Sequence, residues 1–225
     1  MEADGATARA VTGDAVRVRL EARPDLLRIP SADLEIYVAR DFLTATECAR
    51  LNRLIDANRM PSQLLAPAAD PEFRTSESCN LDPRQAIVIQ VESKVAALTG
   101  IDPMLGEAIQ GQRYAVGQQF KPHHDFFHEG EPYWDDMQRT GGQRTWTAMA
   151  FLNVPEEGGE TFFPSAGIKV TPRIGNLLIW NNMDADGHPN PASLHQGMPV
   201  LAGTKYVITK WYRERPWSYA PISTY

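Results

Sequence analysis

The part of the chain from Ile109 onward consists of short runs rich in β-branched and aromatic residues, separated by Gly, Pro and Asn. Closely spaced strands with turn signals between them are typical of a β-barrel or sandwich. The runs are AIQGQRYAV, TWTAMAFLNV, ETFFP, GIKVT, NLLIWNN and KYVITKWY. The sequence therefore predicts an all-β core.

Two helices are predicted to support this core. In residues 44–59, Thr44 can cap a helix and Glu47 sits three residues on, as a capping box requires. Residues 84–98 carry apolar side chains at helical spacing and are followed by Gly100. The expected class is therefore an α+β protein with an all-β core.

The start of the chain is predicted to form a flexible tail followed by two strands. Residues 1–12 are small and polar, which indicates a flexible tail. After them, the apolar residues Val16, Val18 and Leu20 alternate with arginines, which predicts a strand with one buried face. The run LEIYVARDF, residues 34–42, predicts a second strand.

Composition predicts one globular domain over residues 13–225. The chain has 225 residues, of which 43% are hydrophobic and 22% charged, an ordinary balance for a single core. No apolar run approaches the ~20 residues of a membrane-spanning helix and no secretory signal is evident, so we expect a cytoplasmic protein without a membrane partner. The formal net charge of −6 gives no general basic surface, which argues against a nucleic-acid partner.

A cluster of metal-binding side chains lies in the run FKPHHDFFH. Residues i and i+2 of a strand project from the same face, so His123 and Asp125 can reach one ion. His124 could replace His123, but it would have to share a face with the adjacent Asp125, which strand alternation opposes. On the same grounds we expect structural or supporting roles for His124 and His128.

A third ligand has to come from the two remaining histidines. His195 enters a β run, whereas His188 lies in DADGHPNP, which is typical of an exposed loop. Two imidazoles and one carboxylate leave three positions of a metal open, the arrangement that non-haem Fe(II) oxygenases use. A closed zinc site would fill four positions, usually with cysteines, and the chain has only two.

Lys205 follows in the run GTKYVITKW. A lysine deep in a barrel needs a partner, because a buried unpaired ammonium is costly. A dicarboxylate can supply it, with one end on the metal and the other on the lysine, helped by hydroxyl donors.

The sequence resembles the prolyl 4-hydroxylase branch of the 2-oxoglutarate oxygenases. The matching segments are RYAVGQQFKPHHDFF, GGQRTWTAMAFLN, EEGGETFFP and LHQGMPVLAGTKYVITKW, with FLTATECARL, RTSES and EAIQGQRY upstream. They span roughly residues 34–217 and are specific jointly, although each alone is not. The resemblance implies a double-stranded β-helix, the jelly-roll fold of cupins. It also implies a dioxygenase that uses Fe(II), 2-oxoglutarate, O₂ and ascorbate to hydroxylate a prolyl residue of a peptide or protein, with succinate and CO₂ as co-products.

Position by position, the resemblance implies iron ligands at His123, Asp125 and His195. It implies a salt bridge from Lys205 to the far carboxylate of 2-oxoglutarate.

Other positions match residues around these groups. Tyr114 and Thr161 match residues that hydrogen-bond the same carboxylate. Arg144, which we count among the catalytic residues, and Trp211 match residues near the prolyl substrate. The chain departs from the family at Phe120, where Tyr is common, and therefore lacks a hydroxyl at that position. It also departs at Tyr206, where Trp is common.

Two loops are predicted to close over a peptide: residues 127–142 and residues 60–73. Tyr133 and Trp134 of the first could face an extended, proline-containing segment.

Three other functions compete with this interpretation. A nucleic-acid demethylase would need a basic stripe beside the metal. A hydroxylase of a free amino acid or small metabolite would have a closed pocket, and a non-catalytic cupin-like binding module would not need Lys205. The sequence leaves the oligomeric state open.

Overall fold

The computed structural model describes residues 2–65 and 70–217, with side chains from residue 5. The helices are α1 (Glu2–Glu21), α2 (Ala45–Asn58), α3 (Ala86–Thr99) and α4 (Trp134–Arg139), and Pro103–Leu105 and Pro191–Ser193 are short 3-10 helices. The strands are β1 (Leu26–Arg28), β2 (Ile36–Ala39), β3 (Met60–Pro61), β4 (Glu77–Asn80), β5 (Gln110–Tyr114), β6 (Phe120–His123), β7 (Arg144–Phe151), β8 (Glu157–Gly158), β9 (Thr161–Phe163), β10 (Ile168–Val170), β11 (Leu177–Asn181), β12 (His195–Gly197), β13 (Val200–Ala202) and β14 (Lys205–Arg213). Within these ranges no helix is both long and apolar enough to cross a membrane.

The strands form two main antiparallel sheets and a short ribbon. The larger sheet has eight strands in the order β1-β2-β11-β7-β14-β5-β4-β3. The smaller has four in the order β10-β9-β12-β6, and β13 pairs with β8. The predicted strands at residues 34–42 and after Ile109 are confirmed, and so is the all-β core with supporting helices.

Strand β7 shows how the layers are divided, because its side chains alternate between two apolar clusters. Trp146, Ala148 and Ala150 pack with residues of α1, α2 and α3 on one face of the larger sheet. Met149 and Phe151 belong to a second cluster on the opposite face, which also contains residues of the smaller sheet. This period-2 division places the helices behind the larger sheet and leaves its other face for a cavity between the sheets.

The two predicted supporting helices are confirmed with their caps. Thr44 Oγ1 accepts a hydrogen bond from the Glu47 amide at 3.2 Å, and Glu47 Oε2 accepts one from the Thr44 amide at 2.7 Å. Helix α3 ends at Gly100, whose φ of 74° lies in the left-handed region that glycine adopts without a steric penalty.

The start of the chain differs from the prediction. Residues 2–12 of the expected tail, and the strand expected at Val16, Val18 and Leu20, are instead parts of the helix α1, while residue 1 lies outside the described residues. Val16 and Leu20 are 4% and 0% exposed, whereas Val18 between them is 60% exposed. Positions i and i+4 share a face of a helix as well as of a strand, so the apolar pattern fitted both, and packing of α1 against α3 favours the helix.

Candidate active site

The two sheets bring His123, Asp125 and His195 together. His123 of β6 lies directly opposite His195 of β12 in the antiparallel register. Asp125 Oδ1 lies 4.0 Å from His123 Nε2, and Asp125 Oδ2 lies 3.7 Å from His195 Nε2. One ligand atom from each residue falls within 4.8 Å of the others, so the three side chains can hold one metal ion.

Both imidazoles are oriented by backbone carbonyls. His123 Nδ1 lies 2.8 Å from the carbonyl oxygen of Lys121, and His195 Nδ1 lies 2.9 Å from that of Ser193. A proton on Nδ1 donates to the carbonyl and leaves the Nε2 lone pair free for a metal, which is how metal-binding histidines are usually held. Burial, reinforced by the imidazole of His195, lowers the pKa of His123 to about 3, so this ring is neutral at physiological pH.

Asp125 is ionised although it is buried. Burial alone would raise its pKa, but interactions with His195, His123 and the Arg144 guanidinium and a hydrogen bond from Thr147 together hold the pKa below its ordinary value. Thr147 Oγ1 donates this hydrogen bond to Asp125 Oδ2 at 2.7 Å. Strand β6 ends at His123, so Asp125 lies just beyond it in a bend and not in the extended strand that the sequence predicted.

The other histidines stay outside this group. His124 stacks on Phe126 with ring centroids 4.3 Å apart and lies 5.5 Å from the ring of His128. His188 is exposed in its loop, 3.9 Å from Asp184. The structure therefore selects His123 over His124 and His195 over His188.

Lys205 lies in the same cavity as a buried cation. It is 2% exposed, and its Nζ lies 5.3 Å from the ring centroid of Tyr114 and 5.7 Å from that of Phe151. Within residues 2–65 and 70–217, no carboxylate forms an ion pair with this Nζ. Burial lowers the pKa of Lys205 to about 7, and the more distant Glu160 offsets only part of the effect. Such a site favours an anionic ligand.

Two hydroxyl residues accompany Lys205 in the cavity lining. Tyr114 is the direct neighbour of Lys205 across β5 and β14, and its hydroxyl donates to Gln112 Oε1 at 3.2 Å. Thr161 lies on the smaller sheet, and its buried Oγ1 has no hydrogen-bond partner in the described part of the chain. The three residues predicted to bind the cosubstrate therefore line the same cavity as His123, Asp125 and His195.

Trp211 also lines the cavity, whereas Arg144 is not among the lining residues and contacts Trp211 instead. The Arg144 guanidinium is 4.1 Å from the Trp211 ring centroid and donates to both oxygens of Glu107, at 2.6 and 2.7 Å. Arg213 Nη1 donates to Glu107 Oε1 as well, at 3.0 Å. The sequence did not reveal this group, because its members are far apart in the chain: Glu107 and Arg144 are separated by 37 residues. A direct contact of Arg144 with the substrate stays a prediction.

Replacement of Glu107 by Gln should destabilise the protein strongly. It leaves Arg144 and Arg213 buried side by side without a counter-charge, which costs about 3 kcal/mol or more. The melting temperature should fall by roughly 6 °C or more at neutral pH. The guanidinium groups overcome the effect of burial and lower the pKa of Glu107, so the stability that its charge contributes is present at neutral pH and is lost as the pH falls through that pKa.

Glu77 provides the matched control for this prediction. It also joins two arginines, Arg59 at 3.0 Å and Arg113 at 2.8 Å, but its side chain is 28% exposed against 12% for Glu107. Exposed ion pairs contribute about 0–1 kcal/mol, so Glu77→Gln should melt close to the wild type. Equal melting temperatures for the two variants would contradict the role assigned to Glu107.

In their described residues, the two predicted lid segments contain few helices or strands. Residues 127–142 contain α4, and Arg213 donates to the carbonyl of Met137 in this helix at 2.7 Å and to that of Gly142, beyond the helix, at 2.8 Å. Tyr133 and Trp134 are half-buried. The stretch 60–73 begins with β3, and its residues 66–69 lie outside the described residues. Closure over a peptide stays a prediction.

Several lining residues were missed from the sequence. Thr209 could have been found, because it lies four positions beyond Lys205 on the same face of a strand. Trp180 could not have been found, because every residue of β11 is buried and the run has no polar–apolar alternation to indicate which side chains face the cavity. Its ring centroid lies 4.9 Å from that of His195, so it packs directly against the metal group.

Similarity to known proteins agrees with this geometry. Residues 109–213 match the model of the 2OG-Fe(II) oxygenase superfamily. The chain is 33% identical over 211 residues to the probable prolyl 4-hydroxylase 8 of Arabidopsis thaliana, over 83% of this chain and 71% of that protein.

Solved structures show the same fold. The viral collagen prolyl hydroxylase of Paramecium bursaria Chlorella virus-1, determined as a 2OG complex, matches with a TM-score of 0.64 and 26% identity over 79% of this chain and 95% of that chain. A Trichoplax adhaerens prolyl hydroxylase in complex with a peptide fragment of the hypoxia inducible factor oxygen degradation domain matches with a TM-score of 0.60 and 17% identity, over 92% and 90% of the two chains. The predicted double-stranded β-helix is confirmed. The chain therefore belongs to the prolyl 4-hydroxylase family of Fe(II)- and 2-oxoglutarate-dependent dioxygenases.

Proposed function

We propose that this protein hydroxylates a prolyl residue of a peptide or protein at C4, with Fe(II), 2-oxoglutarate and O₂. The observation that carries the proposal is the pairing of two features in one cavity. Two imidazoles and a carboxylate converge at one end, and a buried ammonium that forms no ion pair with any described residue lies in the same space.

His123, Asp125 and His195 are the proposed iron ligands. Three protein ligands leave open positions, as an oxygenase requires for its cosubstrate and O₂. The carbonyls of Lys121 and Ser193 accept from the two Nδ1 atoms, so the lone pair of each neutral imidazole lies on Nε2, the atom that faces the other two ligands.

Lys205 is proposed to bind the carboxylate of 2-oxoglutarate that lies away from the metal. An ammonium and a carboxylate buried together satisfy each other, which removes the penalty that Lys205 carries alone. Thr161 Oγ1, which lacks a partner among the described residues, is suited to donate to the same carboxylate. The Tyr114 hydroxyl can donate to it in place of its hydrogen bond to Gln112 Oε1.

Bound iron would supply the oxidative chemistry, in which O₂ converts 2-oxoglutarate to succinate and CO₂ and one oxygen atom enters a C–H bond of the substrate. The protein's part is to orient the reactants and exclude water. Phe120 stacks on His123 with ring centroids 3.5 Å apart, and Trp180 packs against His195, so apolar rings flank both imidazoles. Trp211 offers an apolar surface for a pyrrolidine ring, and the Arg144 guanidinium packs against the Trp211 ring.

Some expectations from the sequence remain predictions. These are the binding of ascorbate, a cytoplasmic location, and independence from nucleic acid and membranes. Omission of ascorbate from the assay below tests the first, since turnover should then decline with time.

The substrate class is tested by incubating the protein with Fe(II), 2-oxoglutarate, ascorbate and a proline-rich peptide. We expect succinate to form together with a gain of one oxygen atom on a proline, as seen by mass spectrometry. The same peptide with every proline replaced by alanine, and free proline, are the controls. Succinate formation stimulated by free proline and not by the peptide would contradict a peptide substrate.

A further inference from the structure

A chain of two hydrogen bonds holds the Asp125 carboxylate from the side of the larger sheet. Thr147 Oγ1 in β7 donates to Asp125 Oδ2 at 2.7 Å, and Asn182 Nδ2 donates to Thr147 Oγ1 at 2.9 Å. Thr147 and Asn182 are both 0% exposed. Both hydrogen bonds therefore lie within the core, where water does not compete with the side chains that form them.

The chemistry of the three groups fixes the direction of both bonds. A carboxylate that serves as a metal ligand can only accept, so the single hydroxyl proton of Thr147 must point toward Asp125 Oδ2. The Thr147 oxygen then accepts, which requires the NH₂ group of Asn182 and not its carbonyl. Asn182 Oδ1 is buried without a hydrogen-bond partner among the described residues, so the bond to Thr147 is the one that this side chain forms there.

Backbone hydrogen bonds hold Asn182 in place, so that its side chain can fix the position of Thr147. Its amide donates to the carbonyl of Thr145 at 2.8 Å, and its carbonyl accepts from the amide of Asn190 at 2.9 Å. By contrast, Asp125 lies in a bend beyond β6, where no ladder fixes its backbone. The carboxylate thus depends on a side-chain contact for its orientation, whereas His123 and His195 are fixed by strands and by backbone carbonyls.

We propose that Thr147 and Asn182 are positioning residues that orient Asp125 and thereby set the affinity of the metal site. The inference rests on the proposed function, since it assumes that Asp125 is a metal ligand. Thr147 donates its hydrogen bond to Asp125 Oδ2, so the other oxygen, Oδ1, faces His123 and is free to bind the metal. Loss of a partner that supports a metal ligand typically weakens metal binding by about 10–100-fold.

The test is a titration of the metal-free protein with Co(II), without 2-oxoglutarate, followed by calorimetry and by the visible absorption of bound cobalt. Thr147→Val keeps the side-chain shape but removes the donor, so it should bind Co(II) about 10–100-fold more weakly. Asn182→Ala should weaken binding in the same direction. Thr147→Ser keeps the hydroxyl and should restore affinity close to that of the wild type.

Thr145→Val is the matched control. Thr145 lies two residues away on the same strand and is 3% exposed, but its hydroxyl donates to the Tyr212 carbonyl at 3.3 Å. This variant should bind Co(II) like the wild type. The inference is overturned if Thr147→Val binds as tightly as the wild type, or if Thr145→Val loses as much. If the wild type itself binds no Co(II), both the proposed metal site and this inference are wrong.

Discussion

Replacement of His195 by alanine is expected to abolish Fe(II)-dependent formation of succinate. The two remaining ligands, His123 and Asp125, cannot hold a metal in an open and ordered geometry. Loss of a residue that merely supports a ligand costs about 10–100-fold, so loss of the ligand itself should exceed about 100-fold. The measurement is succinate release at saturating Fe(II) and 2-oxoglutarate.

His124 provides the control for that experiment. It is a neighbouring histidine of the same motif, but it stacks on Phe126 and lies outside the converging group. His124→Ala should therefore retain turnover close to that of the wild type. Turnover by His195→Ala, or an equal loss in His124→Ala, would remove His195 from its assigned role.

Replacement of Lys205 by methionine is expected to weaken binding of 2-oxoglutarate and to leave the metal site intact. The variant leaves one carboxylate of the cosubstrate buried without its charged partner, which costs about 2–5 kcal/mol. The dissociation constant should rise by a factor of about 30 or more. Calorimetric titration with 2-oxoglutarate measures this change, and Co(II) titration should show unchanged metal affinity.

The pH dependence of binding gives a second readout of Lys205. Its pKa is lowered to about 7 by burial, so above pH 7 the empty site loses its proton and must regain it to bind a carboxylate. The dissociation constant of the wild type should then rise by up to about tenfold per pH unit above 7. Lys205→Met should lack this dependence. A wild-type affinity that stays constant between pH 7 and 9 would show that another cation binds the cosubstrate.

The stability of the ligand-free Lys205→Met variant distinguishes lost binding from misfolding. The pKa of Lys205 is lowered from 10.5 to about 7, so between these values the unfolded chain binds more protons than the folded protein. Stability of the wild type therefore rises with pH in this window, and the burial penalty is fully present below pH 7. The variant, which has no such penalty, should melt at a higher temperature than the wild type at pH 6. A lower melting temperature would mean that Lys205 is paired.

The sequence predicted those parts of the fold and site that depend on local patterns. Strands such as β7 and β14 follow from β-branched and aromatic runs, and α2 from its capping box. His123 and His195 were selected over their neighbours by strand alternation and by loop composition, and Lys205 by the cost of burying its charge.

Other features depend on contacts that no local pattern encodes. Val16 and Leu20 are spaced for either a helix or a strand, and only the packing of α1 on α3 decides between them. Glu107 and Arg144 are 37 residues apart, and Asn182 is 35 residues from Thr147. These buried polar pairs form when the sheets assemble, so they could not be read from sequence spacing.

The most direct test of the account is anaerobic addition of 2-oxoglutarate to the Fe(II)-loaded protein, followed by visible absorption spectroscopy. Chelation of ferrous iron by a 2-oxo acid produces a charge-transfer band, which requires metal and cosubstrate in one site. The account predicts this band for the wild type, its absence in His195→Ala, and its appearance in Lys205→Met only at much higher 2-oxoglutarate concentration. A wild-type protein that binds 2-oxoglutarate equally well with and without Fe(II), and without the band, would contradict it.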